Sequence, residues 1–260
     1  MTLASALVRS LDPVALAESL GVAPDASQAE VLRSTADRIA VLAHRQWGKS
    51  TVSAAKGLHR ALYRPGSLVV LVSPSQRQSS ELFRKVLVGY KALGRPVSSE
   101  TENRLSLELE TGSRIVSLPG SEDTIRGFSA VNLLIVDEAA RVGDDLLAGV
   151  MPAVSSARGQ VVAISTPGAR HTWFHRIWTG ESEGWETWRI PASASGRIPA
   201  AELERQRSLL GDWKYSIEFE LSWAGDDDVL FRSDLVEAMF RPEGPPPVDW
   251  RAETKETCHA

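Results

Sequence analysis

Ile39-Ala-Val-Leu-Ala-His-Arg-Gln-Trp-Gly-Lys-Ser-Thr51 carries an apolar run straight into Gly48-Lys49-Ser50 and then into a stretch of helical composition. That succession is the layout of a phosphate-binding loop. In such a loop backbone N–H groups and the start of a helix face nucleotide phosphates, and a lysine brings a compact positive charge to the terminal ones. Lys49 stands where that lysine belongs, and Ser50 follows it with the hydroxyl such loops offer to Mg²⁺. The full pattern, G-x-x-x-x-G-K-[ST], asks for glycine where this chain has Ala43, so Ala43 to Ser50 is a variant without the first glycine. Its reading therefore leans on three further stretches.

The chain has 260 residues, enough for one large α/β core or one domain with a small appendage. Hydrophobic residues make up 43% and charged residues 24%, a globular balance that argues against disorder throughout. A formal net charge of -4 excludes a broadly basic surface, so any contact with nucleic acid must come from a local cluster. The single cysteine, Cys258, excludes an internal disulfide and a multi-cysteine metal site, and it fits a reducing compartment. Arg9, Asp12 and Glu18 interrupt the apolar residues of the first twenty positions, so no signal peptide is expected. Nor does any run reach the roughly 18 apolar residues that span a bilayer.

Asp12 ahead of Pro13 marks a helix start within an N-terminal helical lead-in. After Gly21, Asp25 or Ser27 can cap a helix that carries Gln28 near its beginning. An amide just upstream of a phosphate loop can read adenine, because it offers the base edge both a donor and an acceptor. The plainer reading of Gln28 is a solvated helix glutamine. From Val52 to Leu62 the alanines and Leu58 suit a helix packed closely on a sheet, ended by Arg64-Pro65-Gly66. Ser67-Leu-Val-Val-Leu-Val-Ser73 is a continuous apolar strand of the parallel-sheet kind, and Glu81 to Leu93 returns as a helix. Strand, helix, strand, helix in succession implies an α/β fold with a mostly parallel central sheet flanked by helices. Arg104-Leu-Ser-Leu-Glu-Leu-Glu110, the turn at Thr111-Gly112 and Ser113-Arg-Ile-Val-Ser-Leu118 read as a hairpin, expected as an excursion from the main sheet. The polar stretch around Arg126-Gly127 reads as an exposed loop.

Val131-Asn-Leu-Leu-Ile-Val-Asp137-Glu138-Ala139 is an apolar strand that ends in two adjacent carboxylates. Beside a phosphate loop, the first can hold hydrated Mg²⁺ and the second can activate or orient an attacking water. Paired acids after a strand are often plain loop residues; the loop upstream turns the balance here. Gln160-Val-Val-Ala-Ile-Ser165-Thr166-Pro167-Gly168 is a third buried strand, this one ending in hydroxyls. A hydroxyl there can bond the γ-phosphate or the attacking water, and its place directly after the acid strand and one helix favours a sensor over a simple cap.

Beyond Gly168, Arg170, His171, Trp173, Phe174, His175, Arg176 and Trp178 mix cations with aromatics, a composition that grips nucleic acid or, more often, an amphipathic helix burying its rings. His171 and His175 have the i, i+4 spacing of zinc ligands but no evident third ligand, so they read as surface histidines. Trp185-Glu-Thr-Trp-Arg-Ile190 alternates like one more strand, and Pro191 to Pro199 resembles a connector. Ala200 to Leu209 and Trp213 to Leu221 form a small helical unit, and Asp226-Asp-Asp228 reads as a solvated turn. The proline-rich stretch from Pro242 to Ala260 reads as a tail or linker.

Taken together, Gln28, the loop His44-Arg45-Gln46-Trp47-Gly48-Lys49-Ser50, the strand ending in Asp137-Glu138-Ala139-Ala140 and Ser165-Thr166-Pro167 resemble the ATPase domain of the large terminase subunit, the DNA-packaging motor of tailed bacteriophages. The missing first glycine and the Arg-Gln before Gly-Lys are the form the loop takes in that family. The resemblance implies a P-loop NTPase core with its helical lead-in over residues 1–190, a linker and helical lid over 191–240, and a tail or linker over 241–260. It implies ATP and Mg²⁺ as cofactors, with Gln28 on adenine and Arg45, Gln46, Trp47, Gly48, Lys49, Ser50 and Thr51 around the nucleotide. Ser50 and Asp137 would hold the metal, Glu138 would activate water, and Thr166 would couple hydrolysis to movement. Arg45 would sense phosphate within its own subunit, and Arg126 would act on the ATP of a neighbour. Implied partners are double-stranded DNA, a portal protein, a small terminase subunit and sister copies in a ring on the portal, in the cytoplasm of the bacterial host and away from membrane. The family's nuclease domain, with its several metal-binding acids, has no counterpart in the stretch after Phe240, so cutting of DNA is not expected of this chain. Two other functional classes stay open on the residues: a regulatory nucleotide switch acting through a protein partner, and a helicase-like ATPase.

Overall fold

The computed structural model of the chain describes residues 3–119 and 127–223, which form one compact unit. It opens with helices α1 (Leu3–Leu11) and α2 (Pro13–Ser19), and Asp12 caps α2 by accepting from the Val14 N–H over 2.9 Å, with Pro13 in the first turn as the sequence predicts. Helix α3 (Ala26–Arg33) starts on a reciprocal cap: the Asp25 carboxylate accepts from the Gln28 N–H, and the Gln28 side chain accepts from the Asp25 N–H. Then follow β1 (Arg38–Ala43), α4 (Lys49–Tyr63), β2 (Leu68–Ser73), α5 (Gln76–Ala92), β3 (Ser99–Glu102), β4 (Ser106–Leu109), β5 (Arg114–Pro119) and β6 (Leu133–Asp137). A 3-10 turn (Ala139–Arg141) leads to α6 (Asp144–Ser156), β7 (Gln160–Ser165), α7 (Trp173–Trp178), β8 (Glu186–Ile190), α8 (Ala192–Ser195) and α9 (Ala200–Glu218).

All the strands join one sheet in the order β3-β4-β5-β2-β6-β7-β1-β8, with every neighbouring pair from β5 to β8 parallel. The expected hairpin is present as β4 and β5, but its place differs from the expectation. Strand β5 pairs in parallel with β2 over Leu68↔Arg114 to Ser73↔Pro119, so the hairpin extends the main sheet. Strand β3 adds an antiparallel edge beyond it; its Ser-Glu-Thr-Glu sequence is mostly exposed and lacks the alternation that marks a strand.

Apolar runs form the central strands because both sheet faces are covered. Ile39 and Val41 on β1, Val69 and Leu71 on β2, and Leu133 and Ile135 on β6 pack under α2 to α5. Ala40 and Leu42, Val70 and Val72, and Leu134 and Val136, one residue out of step, pack toward α6 and α7. Small residues let α4 lie close to the sheet: a Cβ on Gly57 would already touch Val69 at 3.4 Å. The connector and helices after β8 build a minor core of their own from Ala192, Tyr215 and Phe219. Helix α9 breaks at Gly211, whose φ of 76° is left-handed, which separates the two helical segments read from the sequence. The expected lid is described as far as Trp223; Asp226 to Asp228, Cys258 and the rest of the expected tail lie outside the described residues.

Candidate active site

Strands β1, β7 and β6 are neighbours and parallel, so their carboxyl ends meet at one edge of the sheet, where open α/β sheets bind ligands. The phosphate loop leaves β1, the hydroxyls end β7, and the two acids end β6. The hydroxyl strand thus lies between the other two.

The loop turns into α4 through Gly48, which caps the helix at φ 97° and ψ 24°. A side chain at that position would be strained by the backbone and would put its Cβ 2.8 Å from Gln28 Nε2. Gln28 is buried, and its amide is used by the loop and the α3 cap. Nε2 donates to the Trp47 carbonyl over 2.5 Å, while Oε1 accepts from the Asp25 N–H and from Arg197 Nη2, each over 3.1 Å. Trp47 turns its side chain into the core, where the indole N–H donates to Ser27 Oγ over 3.0 Å, leaving its backbone for the loop. Arg45 and Gln46 are exposed, and Gln46 has a left-handed φ of 69°. The Thr51 hydroxyl sits 3.5 Å from Lys85 Nζ.

Residues after β8 strap the loop from outside. The His44 N–H donates to the Ile190 carbonyl over 3.1 Å, and the Arg45 N–H donates to the Glu218 carbonyl over 2.9 Å. The His44 ring lies 2.6 Å from the Arg45 carbonyl through Nδ1 and 2.8 Å from Ser195 Oγ through Nε2. Burial holds this histidine below its ordinary pKa. Arg197 reaches from the same connector to Asp25 Oδ2 over 2.8 Å as well as to Gln28.

Lys49 is buried at the head of α4, 3.9 Å from Glu138 Oε1 and within 3.3 Å of the His44 carbonyl. Burial lowers its pKa, and the charges of Glu138 and then Asp137 oppose that fall. Ser50 Oγ donates to Asp137 Oδ2 over 3.0 Å. Burial first, and the neighbouring Glu138 charge second, push the Asp137 carboxyl up to about 6, against the Ser50 hydrogen bond. Its other oxygen, Oδ1, is buried with no hydrogen-bond partner among the described residues, an arrangement that costs free energy unless a cation or donor meets it. Ser50 Oγ and this oxygen form the hard oxygen set that Mg²⁺ takes from protein when phosphates and water supply the rest, so the residues fit that ion.

Glu138 occupies the left-handed region at φ 53°, a strained conformation for a non-glycine residue of the kind that gathers at functional sites. The strain aims the side chain back over the loop. Oε2 accepts from Arg141 Nη1 over 3.0 Å and faces Thr166 Oγ1 at 3.4 Å, which leaves Oε1 toward Lys49. Ser165 Oγ accepts from the Ala140 N–H over 3.1 Å and fastens the end of β7 to the turn after the acids. Gly168 permits that approach, since a Cβ there would lie 2.8 Å from Ala140 Cβ.

A family model for the N-terminal part of the T4likevirus-type terminase large subunit matches residues 41–235, which include the loop, the acids and the hydroxyl strand. The chain belongs to the terminase large subunit family. The large terminase subunit of Thermus phage G20c is 28% identical over 181 residues, 62% of this chain and 37% of that protein. The chain thus spans little more than a third of the length of the curated relatives it matches. Among solved structures, the Thermus phage P74-26 large terminase ATPase domain matches with a TM-score of 0.69 at 20% identity, over 80% of this chain and 96% of that one. The HK97 bacteriophage large terminase matches with a TM-score of 0.62 at 16% identity, over 82% of this chain and 53% of that one. At such identities these two likenesses establish a shared fold, that of terminase ATPase domains.

This terminase chain brings Gln28, the loop, Ser50, Asp137, Glu138 and Thr166 to one edge of its sheet; Arg126 lies outside the described residues. The aromatic stretch after Gly168 goes elsewhere. Trp173, Phe174 and Ile177 are buried against α6 and the sheet, and Arg176 pairs with Asp144 over 2.5 Å, so those rings are not offered to bases. His175 meets the Trp223 ring edge-on at 4.6 Å, and no metal-binding group of three or more His, Cys, Asp or Glu occurs among the described residues. Among those residues no helix is long and apolar enough to cross a membrane. Arg141, Ser195 and Arg197 touch the site without having been singled out in the sequence, and His44, read only as part of the loop, is given no role there. Arg141 carries a local signal, three residues after Glu138 and so in reach across one turn. Arg197 carries none, being one cation in a polar connector.

Proposed function

We propose that this chain is the ATP-hydrolysing motor domain of a phage large terminase, coupling ATP hydrolysis to translocation of double-stranded DNA into a procapsid. The observation that carries the reading is the convergence of Lys49, Ser50, Asp137, Glu138 and Thr166 at the carboxyl ends of β1, β6 and β7. The P74-26 relative bears the name of an ATPase domain, and the large terminase of another thermophilic bacteriophage has been solved with ADP and with ATP-γ-S.

In this reading the N–H groups of the loop and the head of α4 receive the phosphates, and Lys49 binds the terminal one. Ser50 and Asp137 would hold Mg²⁺, which would neutralise charge on the outer phosphates. Because Arg141 and Thr166 hold Oε2 of Glu138, Oε1 is left to orient the attacking water and accept its proton. Thr166, bonded to that acid from the neighbouring strand, transmits the state of the γ-phosphate to β7. Gln28 would meet adenine only on exchanging the bonds its amide makes to Trp47, Asp25 and Arg197; Arg45 senses phosphate in its own subunit, and Arg126 serves the site of a neighbour in a ring assembled on the portal. Duplex DNA, the portal protein and the small terminase subunit are the partners, in the bacterial cytoplasm.

ATP turnover measured with and without double-stranded DNA and procapsids tests this. Hydrolysis stimulated by both supports a motor. Turnover indifferent to either would replace it with a switch that signals through another protein.

A further inference from the structure

Helix α4 has the phosphate loop at one end and a second polar cavity at the other. That cavity, of about 550 Å³, is lined by the last turns of α4, by the ends of α1 and α3, and by Leu133 and Gln160, the first residues of β6 and β7. It therefore lies at the opposite edge of the sheet from Asp137 and Thr166. Lys49 and Arg60 stand eleven residues apart on α4, about 16 Å at 1.5 Å per residue. Both sites can be filled at once.

The lining is cationic, and its cations divide into two groups. Lys56 is committed: it donates to the carbonyls of Val31, Leu32 and Ser34 at 3.1, 3.0 and 2.9 Å. Arg33 is committed too, to the carboxylate of Asp12 over 2.7 and 3.2 Å. The guanidinium groups of Arg60, Arg64 and Arg158 have no hydrogen-bond or ion-pair partner among the described residues. Lys56 and Arg60 lie at i and i+4 on one face of α4, a spacing at which like charges destabilise a helix, and Arg64 follows as the residue that caps its carboxyl end. Arg60 is half-buried, and burial together with the Arg64 charge weakens its hold on its proton. Asp37 is the remaining carboxylate of the lining, and it is exposed.

The carboxyl end of α4 favours cations through its dipole, which accounts for part of the stripe. It does not account for Arg158, which comes from a different element. Arg158 is held in the turn before β7 at a left-handed φ of 49°. Three unpaired guanidinium groups from two elements around one concavity make a surface for an oxyanion, because a guanidinium binds phosphate oxygens two at a time. The volume lies in the range of pockets that hold small ligands, and a concave site favours such a ligand over the convex backbone of a duplex.

We propose that this cavity binds a small phosphate-bearing anion through Arg60, Arg64 and Arg158, at the end of α4 remote from the nucleotide loop. The proposal stands apart from the motor reading. To test it, inorganic pyrophosphate is titrated calorimetrically into the full chain carrying Lys49→Ala, which disables the loop. One saturable event is expected, with affinity at least tenfold lower when Arg60→Gln and Arg64→Gln are added. Arg158→Gln, at an exposed position outside α4, should weaken binding in the same direction, so a folding defect in the α4 variants does not leave the matter open. Absence of pyrophosphate binding to the Lys49→Ala chain, or binding that none of the three arginine changes alters, overturns the proposal. Arginine-dependent binding of duplex DNA without binding of pyrophosphate overturns it as well, in favour of a backbone-docking face.

Discussion

The hydroxyl of Ser50, in the first turn of α4, donates to Asp137 Oδ2 at the end of β6 over 3.0 Å, while Asp137 Oδ1 is buried and meets no donor among the described residues. A buried carboxylate with one free oxygen is costly when nothing answers it, and this one faces the place where the loop receives phosphates. Asp137→Asn keeps the shape and removes the charge. The Mg²⁺ concentration giving half-maximal ATP turnover should then rise tenfold or more, with a smaller rise for Ser50→Ala, which leaves both carboxylate oxygens. An Asp137→Asn chain with the wild-type Mg²⁺ dependence would remove Asp137 from the metal site.

Lys49 and Glu138 lie 3.9 Å apart, yet they should fail at different steps. If Lys49 meets the phosphates in the ground state, as proposed, replacing it with Ala should lower nucleotide affinity at least tenfold. Glu138→Gln keeps a side chain of nearly the same shape that can no longer take a proton. Binding should persist while turnover falls by about 10² to 10⁴, the usual contribution of a general base. Equilibrium binding and steady-state hydrolysis, measured side by side, separate the two. Wild-type turnover in Glu138→Gln would mean that another group activates the water.

Gly48 is where the loop, Gln28 and the connector meet. Its φ of 97° disfavours any Cβ, and a Cβ there would sit 2.8 Å from Gln28 Nε2. Gln28 has little room to yield, because Asp25, Trp47 and Arg197 all hold its amide. Gly48→Ala should therefore lose about 1–3 kcal/mol of stability, the range for backbone strain at such positions, and bind nucleotide at least tenfold more weakly. Thermal unfolding and nucleotide titration check both; unchanged affinity would mean that the loop does not present its backbone at this point.

Much of this site is legible in the sequence because each part closes a strand buried on both faces. Ile39 to Ala43, Leu133 to Val136 and Val161 to Ile164 are apolar without interruption, so the polar residue that ends each run stands out. The order of those strands is not legible, since hydrogen bonding between neighbours leaves no mark on composition. That β7 lies between β1 and β6, which brings Thr166 onto Glu138, emerges only from the fold. The same limit explains the hairpin: the alternation at 104–118 shows β4 facing β5, but the parallel pairing of β5 with β2 depends on residues far away in the chain. Trp47 reads as a loop residue because its position is fixed by Gly48-Lys49, whereas its indole is claimed by the core beneath the loop. Arg197 is silent in the sequence for a related reason, its role being set by where the connector passes over α3.

Lys56 offers the last test, and it concerns the frame that carries the site. In the sequence it is an ordinary helix lysine, but the fold buries it against the carboxyl end of α3, where its ammonium donates to the Val31, Leu32 and Ser34 carbonyls. It serves α3 as a cap supplied by another helix, a positive charge at the negative end of the helix dipole. Lys56→Met keeps the length and apolar stem and leaves these buried carbonyls short of a donor. The expected loss is about 2–4 kcal/mol, from hydrogen bonds to a charged group and the cost of the acceptors left behind. Because α3 positions Gln28, whose amide holds the Trp47 carbonyl, nucleotide affinity should fall along with the urea midpoint, while the step governed by Glu138 keeps its rate at saturating ATP. A Lys56→Met chain as stable as the wild type would show that water or backbone adjustment satisfies those carbonyls, and that the lysine is not what fixes the end of α3.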